Sequence, residues 1–108
     1  MIFCLYASKG CNYGQLAEDL KSYEFGQDKH TYLVGDLNFD ASKTNNLTSY
    51  LKQLKYTQLV NHATHLDGHI LDQVFSSQAN SNLLDVKLHH VYYSNHDAIL
   101  VNVNMNLD

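Results

Sequence analysis

The order of two hydrophobic patterns along the chain constrains its fold more than any other feature. Residues 2–7 and 31–35 are short apolar runs, too short for helices, and each predicts a buried strand. Each run is followed by a segment with apolar residues at helical spacing, the first from Tyr13 and the second from about Thr44. Further strand-like pieces lie at 57–60, 70–75, 86–93 and 98–107. This β-α-β-α order, continued by strands, predicts an α/β layered domain with functional residues where loops leave the strand ends.

Both predicted helices carry an apolar stripe that identifies part of the core. The stripe residues are Leu16, Leu20 and Tyr23 in the first helix and Leu47, Tyr50, Leu51 and Leu54 in the second. In the last strand-like piece, apolar residues alternate with asparagines at positions 102, 104 and 106. We therefore expect that strand to have one buried and one solvated face.

The composition limits the size and the partners of the domain. A chain of 108 residues with 44% hydrophobic content indicates one small globular domain. Its 7 basic residues are all lysines, its acidic residues number 11, and the formal net charge is -4. This charge gives no general attraction to a polyanion, and without arginine there is no bidentate phosphate clamp. Any affinity for nucleic acid must therefore be local or assisted by a metal.

The start of the chain bears on where the protein resides. The first ten residues, MIFCLYASKG, have no basic region and too few apolar residues for a signal peptide, and no later segment approaches a membrane span. We therefore expect an intracellular protein, nuclear or cytoplasmic, without a membrane partner. Cys4 and Cys11 lie in one short segment, and without a secretion signal we expect both thiols to be reduced.

The stretch LVGDLNFD, residues 33–40, ends the second apolar run in a glycine and then places polar residues at alternate positions. If the strand continues through Gly35, Asp36 and Asn38 share one side of the backbone about 7 Å apart and can address a single ligand. Gly35 has no side chain to block a substrate or a metal. An isolated G-D-x-N is more often a turn or a helix cap than a ligand site, and Asp40 is interpreted as such a turn or cap residue.

Two further polar residues stand at predicted strands. Asp72 is the one charged residue within an apolar strand, and His96 lies just before the last strand. An aspartate beside a histidine fixes the tautomer of the imidazole and supports its positive charge. With Asp36 to activate water and Asn38 to donate to a phosphoryl oxygen, the set suits metal-assisted hydrolysis of a phosphodiester. Attack on an anionic phosphorus requires a hard cation and nearby donors, because negative charge develops there.

Three motifs resemble the C-terminal half of the endonuclease/exonuclease/phosphatase domain, whose family includes AP endonucleases, DNase I-like nucleases and the nucleases of non-LTR retrotransposons. The family signature G-D-[FL]-N matches residues 35–38. The next block, a Thr followed by Gly and then Leu-Asp-x-[IV]-[FY], matches Thr64, Gly68 and residues 71–75. The closing S-D-H block matches residues 94–96, read here as Ser-Asn-His. The last two blocks most resemble copies carried by animal mobile elements.

The resemblance implies a four-layer α/β sandwich, two packed sheets with helices outside, that cleaves nucleic acid, DNA more than RNA. It also implies a divalent metal, usually Mg²⁺. Carried over by residue, Asp36 orients or deprotonates the attacking water and Asn38 holds the phosphate. His96 contacts the phosphate and stabilises its transition state, and Asp72 orients His96. Tyr6 lies near the phosphate, where the family places a tyrosine after a strand.

Two departures from the family pattern bear on activity. Family members begin with a segment that supplies an Asn and a metal-binding Glu, whereas residues 1–108 match the C-terminal portion of the domain. Glu18 and Glu24, the only glutamates, fit no such motif. Asn95 stands where the family has an aspartate, and as a metal ligand it is weak because an amide lacks the charge that holds a hard cation. We therefore expect a truncated copy with an incomplete metal site, and its activity stays open.

Two alternatives belong to other functional classes. The first is a metal-binding module, because His62, His65 and His69, followed by Asp72, have a spacing that suits zinc if the segment is helical. Gly68 and the strand-like residues after it argue against that helix. The second alternative is a pseudo-nuclease that keeps the fold and binds a partner without catalysis.

Overall fold

The order of strands and helices follows the order predicted from the sequence. The structure, a computed structural model, describes residues 2–27, 31–77, 84–89, 96 and 98–103. The first half contains β1 (Ile2–Tyr6), α1 (Tyr13–Ser22), β2 (Tyr32–Asp36) and α2 (Asn46–Gln53). Next come β3 (Tyr56–Gln58), β4 (Asp72–Ser77), β5 (Leu84–His89) and β6 (Ala98–Val103). The predicted α/β class is confirmed, and the part of the last predicted strand after residue 103 lies outside the described residues.

The strands form two sheets. In the four-stranded sheet the order is β1-β2-β4-β3, with β1 parallel to β2 and the other two pairs antiparallel. The second sheet is the antiparallel pair of β5 and β6. Asp36, at the end of β2, is therefore paired with Tyr6 of β1 on one side and with Asp72 of β4 on the other.

Both helices pack on one face of the four-stranded sheet. The register places Phe3, Leu33 and Phe75 side by side on that face. Leu33 and Phe75 join a buried cluster with helix residues that include Leu20 and Leu51. The core residues packed in this cluster are Ala17, Leu20, Phe25, Leu33, Leu37, Leu47, Leu51 and Phe75. Of the predicted helix stripes, Leu20, Leu47 and Leu51 lie in this cluster, and Leu16, Tyr50 and Leu54 pack against it. The stripes therefore anchor both helices to β2 and β4.

The residue before each helix is an asparagine that caps it. The chain contains no proline, so asparagines mark these helix boundaries. The side chain of Asn12 accepts a hydrogen bond from the backbone of Gln15 at the start of α1. At the start of α2, Asn45 and Thr48 form a reciprocal capping box. These caps satisfy backbone donors that the first turn of a helix leaves free.

The first apolar run is a strand as predicted, but the prediction that this strand is buried is wrong. β1 lies at one end of the four-stranded sheet, and its residues are alternately exposed and half-buried. Ile2 is 62% exposed and Tyr6 is 76% exposed, whereas Phe3 packs against the core. Tyr23, predicted as a core residue of the first helix, is also 72% exposed, because α1 ends one residue before it.

Gly35 fixes how closely β1 can approach β2. Its φ is +151°, and a Cβ built on it would lie 1.8 Å from the carbonyl oxygen of Leu5. No side chain fits at that distance, so glycine is required by the contact between the two strands. The sequence interpretation that Gly35 makes room for a substrate or metal is therefore replaced by one in which it makes room for a neighbouring backbone.

Candidate active site

The two aspartates predicted to be functional face each other across neighbouring strands. Asp36 is the last residue of β2, Asp72 is the first residue of β4, and the antiparallel register pairs them directly. Directly opposed residues lie on the same face of a sheet, with their Cβ atoms about 5 Å apart. The side chains are 19% and 18% exposed respectively. Two carboxylates thus converge at one end of the sheet, within reach of solvent.

His96 joins this pair from the segment before β6. Its Nδ1 lies 2.6 Å from Oδ2 of Asp72, and its Nε2 lies 3.7 Å from Oδ2 of Asp36. The first distance is a short hydrogen bond, whereas the second exceeds hydrogen-bond length. The predicted carboxylate–imidazole pair is present, and the opposite ring nitrogen points toward Asp36.

The surroundings of His96 favour its charged form. The hydrogen bond to Asp72 raises the pKa of His96; partial burial opposes this, and the charges of Asp72, Asp36 and Asp67 add to the increase. A protonated imidazole supplies positive charge in a chain that has no arginine. The site can therefore present a cation to an anionic phosphoryl group.

Asn38 does not extend the strand as predicted. β2 ends at Asp36, and Asn38 has a φ of +55°, in the left-handed region. The Asp36 side chain accepts a hydrogen bond from the backbone N–H of Asn38 at 3.0 Å and so closes an Asx turn. Asn38 in turn donates through Nδ2 to the carbonyl of Ala7 at 2.5 Å. The shared-face geometry predicted for Asp36 and Asn38 is therefore wrong, although the two residues remain in direct contact.

Tyr6 lies in the same row of the sheet as the aspartates. The parallel register pairs it with Asp36, which places the two residues on the same face. Its high exposure leaves the phenol open to solvent beside the site. Asn95, the weak candidate metal ligand, lies outside the described residues.

Thr64 holds the start of β4. It is buried, and its Oγ1 accepts hydrogen bonds from the backbone N–H groups of Leu71 and Asp72, both at 3.1 Å. The motif match includes Thr64 but assigns it no role; the structure identifies it as a positioning residue for the Asp72 backbone. Its sequence signal is a threonine in a polar loop several residues before the strand that it supports.

Asp40 ties the loop before α2 to the loop before β4. Its Oδ1 accepts the backbone N–H of Ile70 at 2.8 Å, and Oδ2 accepts both the hydroxyl and the backbone N–H of Ser42. Hydrogen bonds from the Ser42 side chain and from the Ile70 backbone lower the pKa of Asp40 to about 2. The predicted turn role is confirmed, whereas the cap of α2 is Asn45. The contact with Ile70 spans thirty residues and has no local sequence signal.

The histidine-rich loop does not form the helix that a zinc site would require. Residues 59–71 contain no helix. Instead, Asp67 places one carboxylate oxygen 3.0 Å from Nδ1 of His65 and 3.2 Å from Nδ1 of His69. His62 is exposed. The geometry of this loop does not support the zinc alternative.

One cluster among the described residues has the composition of a metal site. Asp36, Asp72 and His96 each offer a ligand atom, and these atoms lie within 4.8 Å of one another. Carboxylate oxygens are the donors that Mg²⁺ and Mn²⁺ prefer, so the two aspartates fit a divalent cation. Glu18 is instead exposed on α1 and pairs with Lys21.

The arrangement of strands and helices defines a class of fold, the DNase I-like α/β domains. One solved structure with this fold is the endonuclease domain of TRAS1, a telomere-specific non-LTR retrotransposon, which superposes with a TM-score of 0.74 at 17% sequence identity. The match covers 91% of this chain and 52% of that chain. This chain therefore spans about half the length of that structure, and the likeness confirms the predicted fold.

Sequence comparisons add no closer relationship. No protein-family model matches the chain, and no curated protein matches it. Neither of the helices in the described ranges has the length and apolar character needed to cross a bilayer.

Proposed function

We propose that this chain carries the water-activating part of an endonuclease-type site that hydrolyses nucleic-acid phosphodiesters with a divalent metal. The observation that carries the proposal is the convergence of Asp36, Asp72 and His96, which come from three separate segments. The structural neighbour supports the reaction class, since it is an endonuclease domain of a retrotransposon.

The proposed chemistry is an in-line attack of water on phosphorus. Asp36 takes the proton from the water, whose oxygen forms a bond to phosphorus while the bond to the leaving nucleotide oxygen breaks. Solvent protonates the leaving oxygen. His96, held by Asp72, donates through Nε2 to a phosphoryl oxygen and offsets the negative charge that develops there. The 3.7 Å between Nε2 and Asp36 leaves this donor directed toward the site.

Asn38 and Tyr6 have supporting roles in this proposal. Asn38 holds the phosphate, and it must do so beside its existing hydrogen bond to Ala7. Tyr6 presents an exposed phenol near the phosphate, one strand away from Asp36. Both roles come from the family resemblance and are expected to contribute less than Asp36 and His96.

We propose Mg²⁺ as the metal, held by Asp72 next to the water that Asp36 deprotonates. When bound, the ion would supply positive charge that stabilises the phosphoryl oxygens during attack. The hydrogen bond to His96 engages one oxygen of Asp72 and leaves the other available. Asn95 would be a weak additional ligand.

DNA is the proposed substrate, by likeness to the retrotransposon endonuclease. A net charge of -4 predicts weak intrinsic affinity for DNA, so binding should depend on the metal and, with few cationic contacts to phosphate, should have only a shallow dependence on salt. Action on chromosomal DNA requires a nuclear location; a cytoplasmic protein of this type would meet RNA and extrachromosomal DNA.

We further infer that residues 1–108 correspond to the C-terminal portion of a larger domain. The order of the three motifs supports this, as does the match of nearly the whole chain to about half of the neighbour. A complete domain would add metal ligands that the described residues do not supply.

Plasmid nicking tests the proposed activity. Supercoiled plasmid should be relaxed in the presence of Mg²⁺ and left intact with EDTA. Because Asp36 and His96 act on the reacting groups, Asp36→Asn and His96→Ala should each reduce the rate by about a hundredfold or more. RNA of the same length tests the preference for DNA.

The matched control is Asp19→Asn, which removes an exposed carboxylate from α1, remote from the site. It should nick at the wild-type rate. Equal background nicking by wild type, Asp36→Asn and His96→Ala would contradict the proposal and leave a non-catalytic binding module as the remaining interpretation.

A further inference from the structure

His65 packs against the ring of His96. The two imidazoles meet edge to face, with ring centroids 4.7 Å apart and an interplanar angle of 83°. The backbones of the two residues also form an isolated antiparallel β-bridge. The side chains are 23% and 30% exposed, so this contact covers part of the only histidine in the Asp36–Asp72–His96 cluster.

The contact matters because one hydrogen bond does not fix the plane of an imidazole ring. The hydrogen bond between Nδ1 of His96 and Asp72 fixes the position of that nitrogen, but the ring can still rotate about it. A second ring placed at nearly a right angle limits this rotation by packing, and aromatic pairs of this geometry contribute about 0.5–1.5 kcal/mol. The direction of Nε2, toward Asp36, then depends on both contacts.

The loop that carries His65 is itself held in place. The backbone N–H groups of Thr64 and His65 both donate to the carbonyl of His69 at 3.1 Å, and that of Gly68 donates to the carbonyl of His65 at 3.0 Å. The backbone N–H of Asp67 donates to Nδ1 of His65 at 3.2 Å, which orients the ring. A ring anchored by its own loop can act as a rigid support.

We propose that His65 is a positioning residue that fixes the ring plane of His96, so that Nε2 faces the place where the substrate phosphate would lie. The consequence for catalysis rests on the proposed nuclease function, whereas the consequence for the orientation of His96 does not. The contact with His96 requires a flat ring of similar size, and the hydrogen bond to Nδ1 of His65 adds to the anchoring that the loop backbone and the β-bridge already give.

Two substitutions separate packing from nitrogen chemistry. His65→Phe keeps an aromatic ring against His96, whereas His65→Ala removes it. His62→Ala is the matched control, because His62 is an exposed histidine of the same loop. Thermal melts verify that each variant is folded before it is compared.

The first readout is a long-range ¹H–¹⁵N spectrum of the histidine rings, which reports the tautomer and order of His96 without any need for activity. In His65→Ala the ring of His96 should rotate more freely. Its Nδ1 and Nε2 signals should therefore broaden and move toward each other, because the two nitrogens experience averaged surroundings. In His65→Phe and His62→Ala they should stay as in wild type. Unchanged His96 signals in His65→Ala would overturn the proposal.

The second readout is nicking kinetics. Because displacement of a catalytic group by about 1 Å can reduce a rate by up to a hundredfold, His65→Ala should lower kcat by about tenfold or more with little change in KM. His65→Phe should recover kcat to within about threefold of wild type. A Phe variant as slow as Ala would assign the role to a His65 nitrogen and overturn the packing proposal. If wild type does not nick, the proposed function fails and the spectra alone decide the role of His65.

Discussion

Gly35 links the fold to the site at the scale of a single residue. The same strand end that carries Asp36 must lie against β1, and at Gly35 an added Cβ would overlap the carbonyl of Leu5 in β1. A side chain there would separate β1 from β2 next to the aspartate. The requirement for glycine in the G-D-x-N motif is thus explained by strand packing and needs no ligand.

Gly35→Ala should destabilise the protein by about 3 kcal/mol or more, because the added Cβ overlaps the Leu5 carbonyl and the backbone conformation is unfavourable for a side chain. Gly68→Ala is the matched control: its φ is +91° but nothing lies within 4 Å of the added carbon. It should therefore lose only about 1–2 kcal/mol of backbone conformational energy. Urea unfolding measures both. Equal losses in the two variants would show that conformation, and not the close contact with β1, is what requires glycine.

Asp40 gives the fold a defined dependence on pH. Its pKa in the folded chain is about 2, below the ordinary value of 3.8. The charged carboxylate therefore stabilises the fold above a pH of about 4, and this stabilisation is lost as the pH falls through about 2.

Asp40→Asn should lower the free energy of unfolding at neutral pH by about 1–2 kcal/mol, because charge-assisted hydrogen bonds to Ile70 and Ser42 become neutral ones. Urea unfolding at pH 7, 4 and 3 measures the free energy of unfolding of both proteins. The difference between wild type and Asp40→Asn should become smaller as the pH decreases. Asp19→Asn, which changes an exposed carboxylate of α1, is the control for the loss of one acidic side chain. If this difference in unfolding free energy is constant from pH 7 to pH 3, the charge of Asp40 does not contribute to stability.

The start of β4 is the element on which the site most depends. Two backbone donors there, on Leu71 and Asp72, have the Thr64 hydroxyl as acceptor and not a strand partner. Thr64→Ala would leave both donors without this acceptor in a buried place, at a cost of about 1–3 kcal/mol for the unfolding free energy. Thr64→Ser keeps the oxygen and should recover most of the loss. If Ser and Ala variants unfold alike in urea, the methyl group and not the hydroxyl supports this strand.

The central elements could be predicted because their patterns are local. The stripe through Leu47 and Leu51 faces the core as expected, and the run before Gly35 is a strand with Leu33 fully buried. The placement of β1 could not be predicted, since an apolar run does not reveal whether its strand lies at the centre or the end of a sheet. Strand order is set by contacts between distant segments, which no local window contains.

At the site, residue types were easier to predict than backbone geometry. The pairing of Asp72 with His96 follows from motif chemistry and is present in the structure. The turn at Asn38 was considered only as the alternative to a continued strand. The alternating sequence pattern could not decide between them, because it does not show that the Asp36 side chain competes with the strand ladder for the backbone N–H of Asn38. The contacts of Asp40 with Ile70 and of His65 with His96 were missed because each joins residues thirty or more positions apart.

At the scale of the whole molecule, one face of the four-stranded sheet is buried in some places and exposed in others. On the face away from the helices, Val74 of β4 is buried, whereas Ile2, Cys4 and Tyr6 of β1 are exposed. β1 is also an end strand of the sheet as far as the described residues extend, so its outer backbone groups have no ladder partner there. An end strand with exposed apolar side chains is a template for pairing with another copy.

This chain expressed alone should therefore self-associate through β1. Ile2→Lys places a charge on the exposed face of that strand, where lysine opposes edge pairing, and should shift the protein toward monomer. Leu66→Lys is the matched control, because Leu66 is 69% exposed but lies in the loop before β4. Sedimentation velocity under reducing conditions, which excludes disulfides through Cys4, measures the mass of each protein across a concentration series. Association that persists unchanged in Ile2→Lys, or that Leu66→Lys weakens equally, would place the contact elsewhere on the surface.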